Sequence, residues 1–357
     1  MRAVNEGPST MKHSEGQTIH DIVREYYGST LQSSGDLKTN ACCCATQVPP
    51  KYVLDVISEI EDEVLTRFYG CGSPIPPALT GATVLDLGCG TGRDAFICSK
   101  LVGTTGRVIG VDMTEEQLAF ARRHEAAQMR RFGFEQSNVA FYQGYIEDLA
   151  SLGIADNSVD VLISNCVINL SPFKEQVFKE IFRVLKPGGE LYFADIFSDR
   201  RVPPEFYDDP VLRGECLSGA LYGEDFRHIL AKCGCAASFI VESSPLEISD
   251  SQIAAKLGHV GFSSHTIRAI KCSDFEDREK DYGQVATYRG TMPENKRYFD
   301  ASEEVRLIAG KPVAVSGNMA TALKVSRYAQ HFDISGDREE HRRLYEYQSA
   351  QEALRLK

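Results

Sequence analysis

Residues 84–94 read "VLDLGCGTGRD". A short apolar run with one acid, Asp86, ends at Gly88, and glycine returns at Gly90 and Gly92 before "GRDAFICSKLV" begins. This predicts a buried strand, a tight turn and a helix start. Glycines there let the backbone turn sharply and approach a ligand closely. The G-x-G-x-G spacing is shorter than the G-x-G-x-x-G of dinucleotide sites, where a helix N-terminus faces a pyrophosphate.

An alternation extends from this turn. "RVIGVDM", "VAFYQG", "VDVLISN" and "GELYFADIF" read as strands, and "TEEQLAFARRHEAAQMRRFG" and "FKEQVFKEIFRVL" as helices. Strands alternating with helices predict an α/β fold, a parallel sheet with helices on both faces, over residues 80–200. Upstream, Val53, Val56, Ile57, Ile60, Val64 and Phe68 recur at three- and four-residue steps. They predict one amphipathic helix opened by Pro50 and closed by Gly70. Beyond residue 235, "ASFIVESSPLEI", "SHTIRAIKC" and "GQVATYRG" read as strands without long helices between them. The chain thus divides into an N-terminal arm (1–48) with one short helix near "HDIVREYYGSTL", an α/β domain (49–234), a smaller α+β region (235–335) and a charged tail (336–357), read as solvated helix or disorder.

The chain has 357 residues and carries 39 basic against 50 acidic side chains, a net charge of −11. A basic face for nucleic acid or an anionic membrane is not expected. No run of about 20 apolar residues could span a bilayer, and the first residues lack the apolar core of a secretory signal. A cytoplasmic location is the expectation, where thiols stay reduced. Eleven cysteines, an odd number, then point to thiol or soft-metal chemistry rather than a disulfide framework. No H-x-x-x-H spacing suggests zinc.

The glycine stretch with Asp86 resembles the first motif of S-adenosylmethionine (SAM) dependent methyltransferases. Three further features agree in order. Asp112 ends the second strand, 24 residues after Gly88, where a carboxylate can accept both ribose hydroxyls. Ile146 and Glu147 follow the third strand as an apolar–acidic pair that can flank an adenine edge. "LKPGG" precedes the fifth strand. The resemblance implies a class I SAM-dependent, Rossmann-like methyltransferase fold with SAM as cofactor.

Asn165 and Cys166 follow the fourth strand, where ligands sit in open α/β sheets. Cys166, Cys71 in "RFYGCG" and Cys216 in "RGECLSGALY" are flanked by Gly, Asn or Glu rather than set in apolar runs. They form a candidate thiol trio, or each is a small buried hydrophobe. Cys233 and Cys235 form a C-x-C with no second pair.

"DLKTNACCCATQVP", "RFYGCG", "SNCVINLSP" and "RGECLSGALY", joined to the motifs above, resemble the arsenite methyltransferases. The resemblance spans residues 20–240 and is looser beyond. It implies methylation of trivalent arsenic, as arsenite or its thiol conjugates, held by thiolates of Cys71, Cys166 and Cys216. It implies an N-terminal thiol at Cys42, or at Cys43 counting back from "VP", that cycles through a disulfide with Cys71 and is restored by thioredoxin or a glutathione-type thiol. It places Tyr69, Gly88, Met113, Gln117, Ile146, Glu147 and Asn165 around SAM. Two other readings share this fold, the first of them with the whole SAM apparatus and the second on a degenerate version of it. A C- or N-methyltransferase of a small metabolite leaves the trio without a role. A non-catalytic arsenic-binding or thiol-sensing protein does not require the intact Gly88, Gly90, Gly92 and Asp112.

Overall fold

The computed structural model describes residues 19–27, 48–68, 70, 72–207, 209–248 and 250–347. Three short helices come first: Ile19–Glu25 (α1), Lys51–Ile57 (α2) and Asp62–Leu65 (α3). Thr83–Leu87 (β1) then runs into the glycine turn, and Arg93–Val102 (α4) leaves it. Arg107–Asp112 (β2), Glu115–Phe132 (α5), Val139–Gln143 (β3), Val159–Asn165 (β4), Lys174–Val184 (α6) and Leu185–Ser198 (β5) complete the alternation. β1 pairs in parallel with β2 and β4, β2 with β3, and β4 with β5. The sheet order reverses between β1 and β4, which opens a crevice at their carboxyl ends. Val84, Leu85 and Leu87 are fully buried, as strands covered on both faces require.

Pro210–Gly214 (α7), Leu221–Tyr222 (β6), Gly223–Lys232 (α8), Phe239–Leu246 (β7), Ser251–Leu257 (α9) and Phe262–Ile270 (β8) follow. β8 lies antiparallel along β5, from Glu190 opposite Ile270 to Ser198 opposite Phe262, and β7 lies antiparallel along β8. The sequence division at residue 235 therefore cuts an eight-stranded sheet. Without β8, the long β5 would present an unpaired edge. We propose a domain division after Ile270 instead.

The remainder forms small sheets. Lys280–Asp281 (β9), Val285–Tyr288 (β10), Tyr298–Ser302 (β11), Val305–Ile308 (β12), Pro312–Ala314 (β13), Gly317–Val325 (α10), Phe332–Ser335 (β14) and Arg343–Leu344 (β15) complete the described chain. β10 sits between β13 and β14, and β11 and β12 form a hairpin. β15 pairs with β9, so the described part of the charged tail contains a strand rather than a helix. Phe193 and Ile267 of the large sheet share one apolar cluster with Tyr288, Phe299 and Phe332.

The single helix expected over residues 51–69 is two. Glu61 is extended (φ −67°, ψ 135°). Gln128 of α5 donates from Nε2 to Glu59 O at 2.8 Å and accepts from Glu61 N at 3.1 Å. One buried amide side chain thus replaces the helical bonds lost at the break.

Candidate active site

The carboxyl ends of β1, β2 and β4, with the loop after β3, enclose a cavity of about 120 Å3. Asp86, Gly88, Gly90, Asp112, Met113, Gln117, Ile146, Glu147 and Asn165 all line it. Gly92 does not. It caps α4 in a left-handed conformation (φ 89°), and a Cβ there would lie 3.1 Å from Phe141 and Phe96. Its role is the turn and the packing of the helix. Tyr69, Cys71, Cys42 and Cys43 lie outside the described residues.

The residues present fit SAM. A Cβ at Gly88 would strike Val167 at 2.3 Å, whereas one at Gly90 would meet nothing within 4 Å. The turn is therefore folded tightly against β4 and leaves a bare backbone facing the cavity. Asp112 accepts from Gly90 N at 2.9 Å and from Thr114 N at 2.8 Å, which ties β2 to the turn. Asp86 is buried, and its Oδ2 has no hydrogen-bond partner among the described residues. Burial first, then the charges of Asp94 and Asp112, push its carboxyl well above the usual range. Burial also raises Asp112, against the pull of the Thr114 and Gly90 amides. A cationic ligand relieves this crowding of carboxylates.

Sequence reasoning missed the residues that close the cavity. His20 and Tyr27, in and just after α1, line it. His20 Nε2 donates to Glu147 Oε1 at 3.1 Å, and Gln117 Nε2 donates to Tyr27 O at 3.0 Å. Burial would raise the Glu147 carboxyl, but the hydrogen bonds from His20 and Ser171 outweigh it, and the group lies below its usual value. Tyr26 OH donates to Glu215 Oε1 at 3.0 Å and Tyr27 OH to Gly214 O at 2.7 Å. α1 therefore straps the cavity to the loop that carries Cys216. Asn165 Nδ2 donates to Asp94 Oδ2 at 3.0 Å and to Gly72 O at 3.1 Å. Arg93 stacks over Phe68 at 3.8 Å. The helical pattern of "HDIVREYY" signals α1, but nothing in it signals where that helix docks.

At the edge of this cavity two of the candidate thiols meet. Cys166 lines it, and Cys216 Sγ donates to Cys166 O at 3.1 Å. One sulfur of each and one oxygen of Asp195 all lie within 4.8 Å of one another. Both cysteines are buried, and both have left-handed backbones, φ 55° and 64°. Non-glycine residues rarely adopt this conformation, which costs on the order of 1–3 kcal/mol and gathers at functional sites. Cys166 is disulfide-bonded, while Cys89, Cys98, Cys216, Cys233, Cys235 and Cys272 are thiols. A thiolate at Cys166 therefore belongs to the reduced protein. Cys98 is fully buried inside α4, in keeping with a small hydrophobe.

Asp195 was not singled out from the sequence. It is fully buried on β5, where Asn169 Nδ2 donates to it at 2.7 Å and Asn169 N at 3.1 Å. Burial pushes its carboxyl up to about 7, against the Ile196 and Asn169 amides and the charge of Lys174. Lys174 is pushed down to about 8 by burial and by Arg213, and is held up by Asp195 and Cys216. At neutral pH it puts a positive charge near the Cys216 sulfur.

Comparison with known proteins agrees with this geometry. Residues 79–234 match the family model of a methyltransferase domain, and residues 281–354 match the arsenite methyltransferase C-terminal domain. The chain is 48% identical over 328 residues to the arsenite methyltransferase of Aquipseudomonas alcaligenes, which covers 92% of this chain and 94% of the relative. It is 40% identical over 317 residues to that of Homo sapiens, covering 88% and 84%. The crystal structure of an arsenic(III) S-adenosylmethionine methyltransferase from Chlamydomonas reinhardtii superposes with a TM-score of 0.80 at 44% identity, covering 84% of this chain and all of that one. The chain belongs to the arsenite methyltransferase family of SAM-dependent enzymes.

Proposed function

We propose that the protein transfers methyl groups from SAM to trivalent arsenic, to arsenite first and to methylarsenite next, with arsenic held by thiolates of Cys166, Cys216 and Cys71. The observation that carries this reading is the pair of buried sulfurs beside Asp195 at the rim of the SAM cavity. Trivalent arsenic is soft and takes thiolates in a trigonal pyramid, which leaves one lone pair. Bound SAM supplies a methyl group on a positively charged sulfur. Cys166, which also lines the SAM cavity, positions arsenic for in-line displacement. Transfer oxidises arsenic by two electrons. The pair formed by Cys71 and Cys42, or Cys43, returns those electrons and closes as a disulfide, and thioredoxin or a glutathione-type thiol reopens it. Such a cycle fits a reducing cytoplasm. Incubation with arsenite, SAM and a thiol should yield methylated and dimethylated arsenic. A protein that binds SAM yet leaves arsenic unmethylated would remove the substrate from this reading.

Asp112, on the cavity wall at the end of β2, is the group assigned here to the ribose hydroxyls. Asp112→Ala is expected to weaken SAM binding about tenfold or more, the loss of a charge-assisted bond, in calorimetry. Unchanged affinity would move the ribose elsewhere.

Asp195 gives the reaction a pH dependence. Below about 7 its carboxyl is protonated, and above about 7 it is an anion able to take a thiol proton directly or through one water. Single-turnover methylation should rise as pH climbs through 7. In Asp195→Asn the rise should move toward the thiol range, about 8.5. A profile identical to the native one would exclude Asp195 from proton transfer. Linkage gives the opposite sign for stability. The folded state holds this proton more tightly than the unfolded state, so the contribution present at acid pH is lost as pH rises toward 7.

A further inference from the structure

A second cleft, of about 370 Å3, lies between the β7–β8 end of the large sheet and the β11–β12 hairpin. That is within the roughly 300–1,000 Å3 of most small-molecule sites. Gly72 forms part of its wall. Gly72 O accepts from Asn165, and a Cβ on Gly72 would lie 2.7 Å from Ala194 Cβ. Ala194 O in turn accepts from Cys166 N at 2.8 Å. The cleft thus ends one layer of residues away from the disulfide-bonded Cys166. Val48, Pro49 and Pro50 line it too, and in sequence they follow the segment that carries the cysteine run.

Its wall is built for a polar, charged ligand. Glu242 lines the cleft, its carboxylate has no ion-pair or hydrogen-bond partner among the described residues, and burial raises its pKa. Ser302 is only 6% exposed, and its Oγ has no partner among the described residues. Ser73 Oγ is likewise unpartnered. Arg306 adds a guanidinium, held by both oxygens of Asp300. An unpaired acid calls for an ammonium, the guanidinium edge for a carboxylate, and the hydroxyls for amide groups.

We propose that this cleft binds a small thiol peptide of the glutathione type, bearing ammonium and carboxylate groups, and that this is where the reductant of the enzyme docks. The inference rests on the arsenic-methylation reading and assigns the C-terminal region a part in it. The exchange balances. One peptide thiolate attacks the disulfide that holds Cys166 and displaces one enzyme sulfur, which takes a proton. A second peptide thiolate attacks the mixed disulfide at the peptide sulfur. Two enzyme thiols and one peptide disulfide result.

S-Methylglutathione keeps every charged group but cannot reduce, and it separates binding from chemistry. It should compete with glutathione in the methylation assay and leave turnover with dithiothreitol untouched. Glu242→Gln, of the same shape, should raise the glutathione concentration for half-maximal rate about fivefold, the scale of one partly exposed ion pair. Its rate with dithiothreitol and its melting temperature should stay native. Absence of competition, or native glutathione dependence in Glu242→Gln, overturns the proposal. So does an effect of Glu242→Gln on reduction by thioredoxin alone, which would make the cleft a protein-docking surface. No methylation even with dithiothreitol would instead overturn the arsenic reading on which the proposal stands.

Discussion

Replacing Cys166 or Cys216 with serine is expected to abolish methylation of both arsenite and methylarsenite, by at least about 100-fold, while SAM binding persists. Serine keeps the size of the side chain but offers a hard oxygen in place of a soft sulfur, and soft centres discriminate strongly between the two. Left with two thiolates on arsenite or one on methylarsenite, arsenic would also lose its aim at the methyl group, and misplacement on the ångström scale alone costs about 100-fold. The two sulfurs approach each other because both backbones are left-handed and Cys216 Sγ bonds to Cys166 O. No other described thiol reaches this place, since the one cluster of potential ligands among the described residues is Cys166, Asp195 and Cys216. Cys71→Ser should behave differently. Inorganic arsenite can engage three thiolates but methylarsenite only two, so this variant should fail on arsenite and still methylate methylarsenite. Product analysis with each substrate separates the cases. Native rates in Cys166→Ser or Cys216→Ser would remove the pair from the arsenic site, and equal loss of both steps in Cys71→Ser would end the division of labour.

The strand–turn–helix around Gly88 was legible because its determinants are local. An apolar run, glycines at fixed steps and a helix-forming run each act within a few residues of one another. The same holds for Asp112 and Glu147, whose places at strand ends follow from counting along one alternation. What was not legible depends on distant pairing. β7 and β8 read as strands, but their antiparallel docking on β5 is chosen by the long edge of β5. The break between α2 and α3 is held by Gln128, some seventy residues downstream. Asp195 hides in "YFADIF", a buried run in which a lone acid carries no spacing signal. Only the fold brings it beside two sulfurs from other segments. The nearness of Cys166 and Cys216 was likewise reached through family resemblance, because fifty residues separate them and no periodicity links them.

The largest loss of stability is expected from Glu190, which follows the "KPGG" turn on β5. Its carboxylate is fully buried and pairs with Arg268 at 2.6 Å, with Arg327 and with Tyr328 OH at 2.9 Å. Arg268 lies on β8, and Arg327 and Tyr328 follow α10, so one anion joins the end of the sheet to the C-terminal region. Arg327 Nη2 also donates to Pro77 O at 2.9 Å, which extends the junction to the segment before β1. Burial works against the Glu190 charge, but the two guanidiniums outweigh it and hold the carboxyl below its usual value. Glu190→Gln leaves two buried cations facing each other without an anion. Breaking a buried pair in this way costs about 3–5 kcal/mol, and melting should fall by roughly 10 °C in a chain of this size. The pH dependence identifies the cause. A depressed carboxyl contributes stability that is complete above the ordinary value of 4.5 and is lost as pH falls through the lower folded value. The gap in melting temperature between native protein and Glu190→Gln should therefore be widest at neutral pH and narrow in acid. A gap that stays constant with pH would mean that the glutamine harms packing rather than charge, and an unchanged melting temperature would mean that water already screens the cluster.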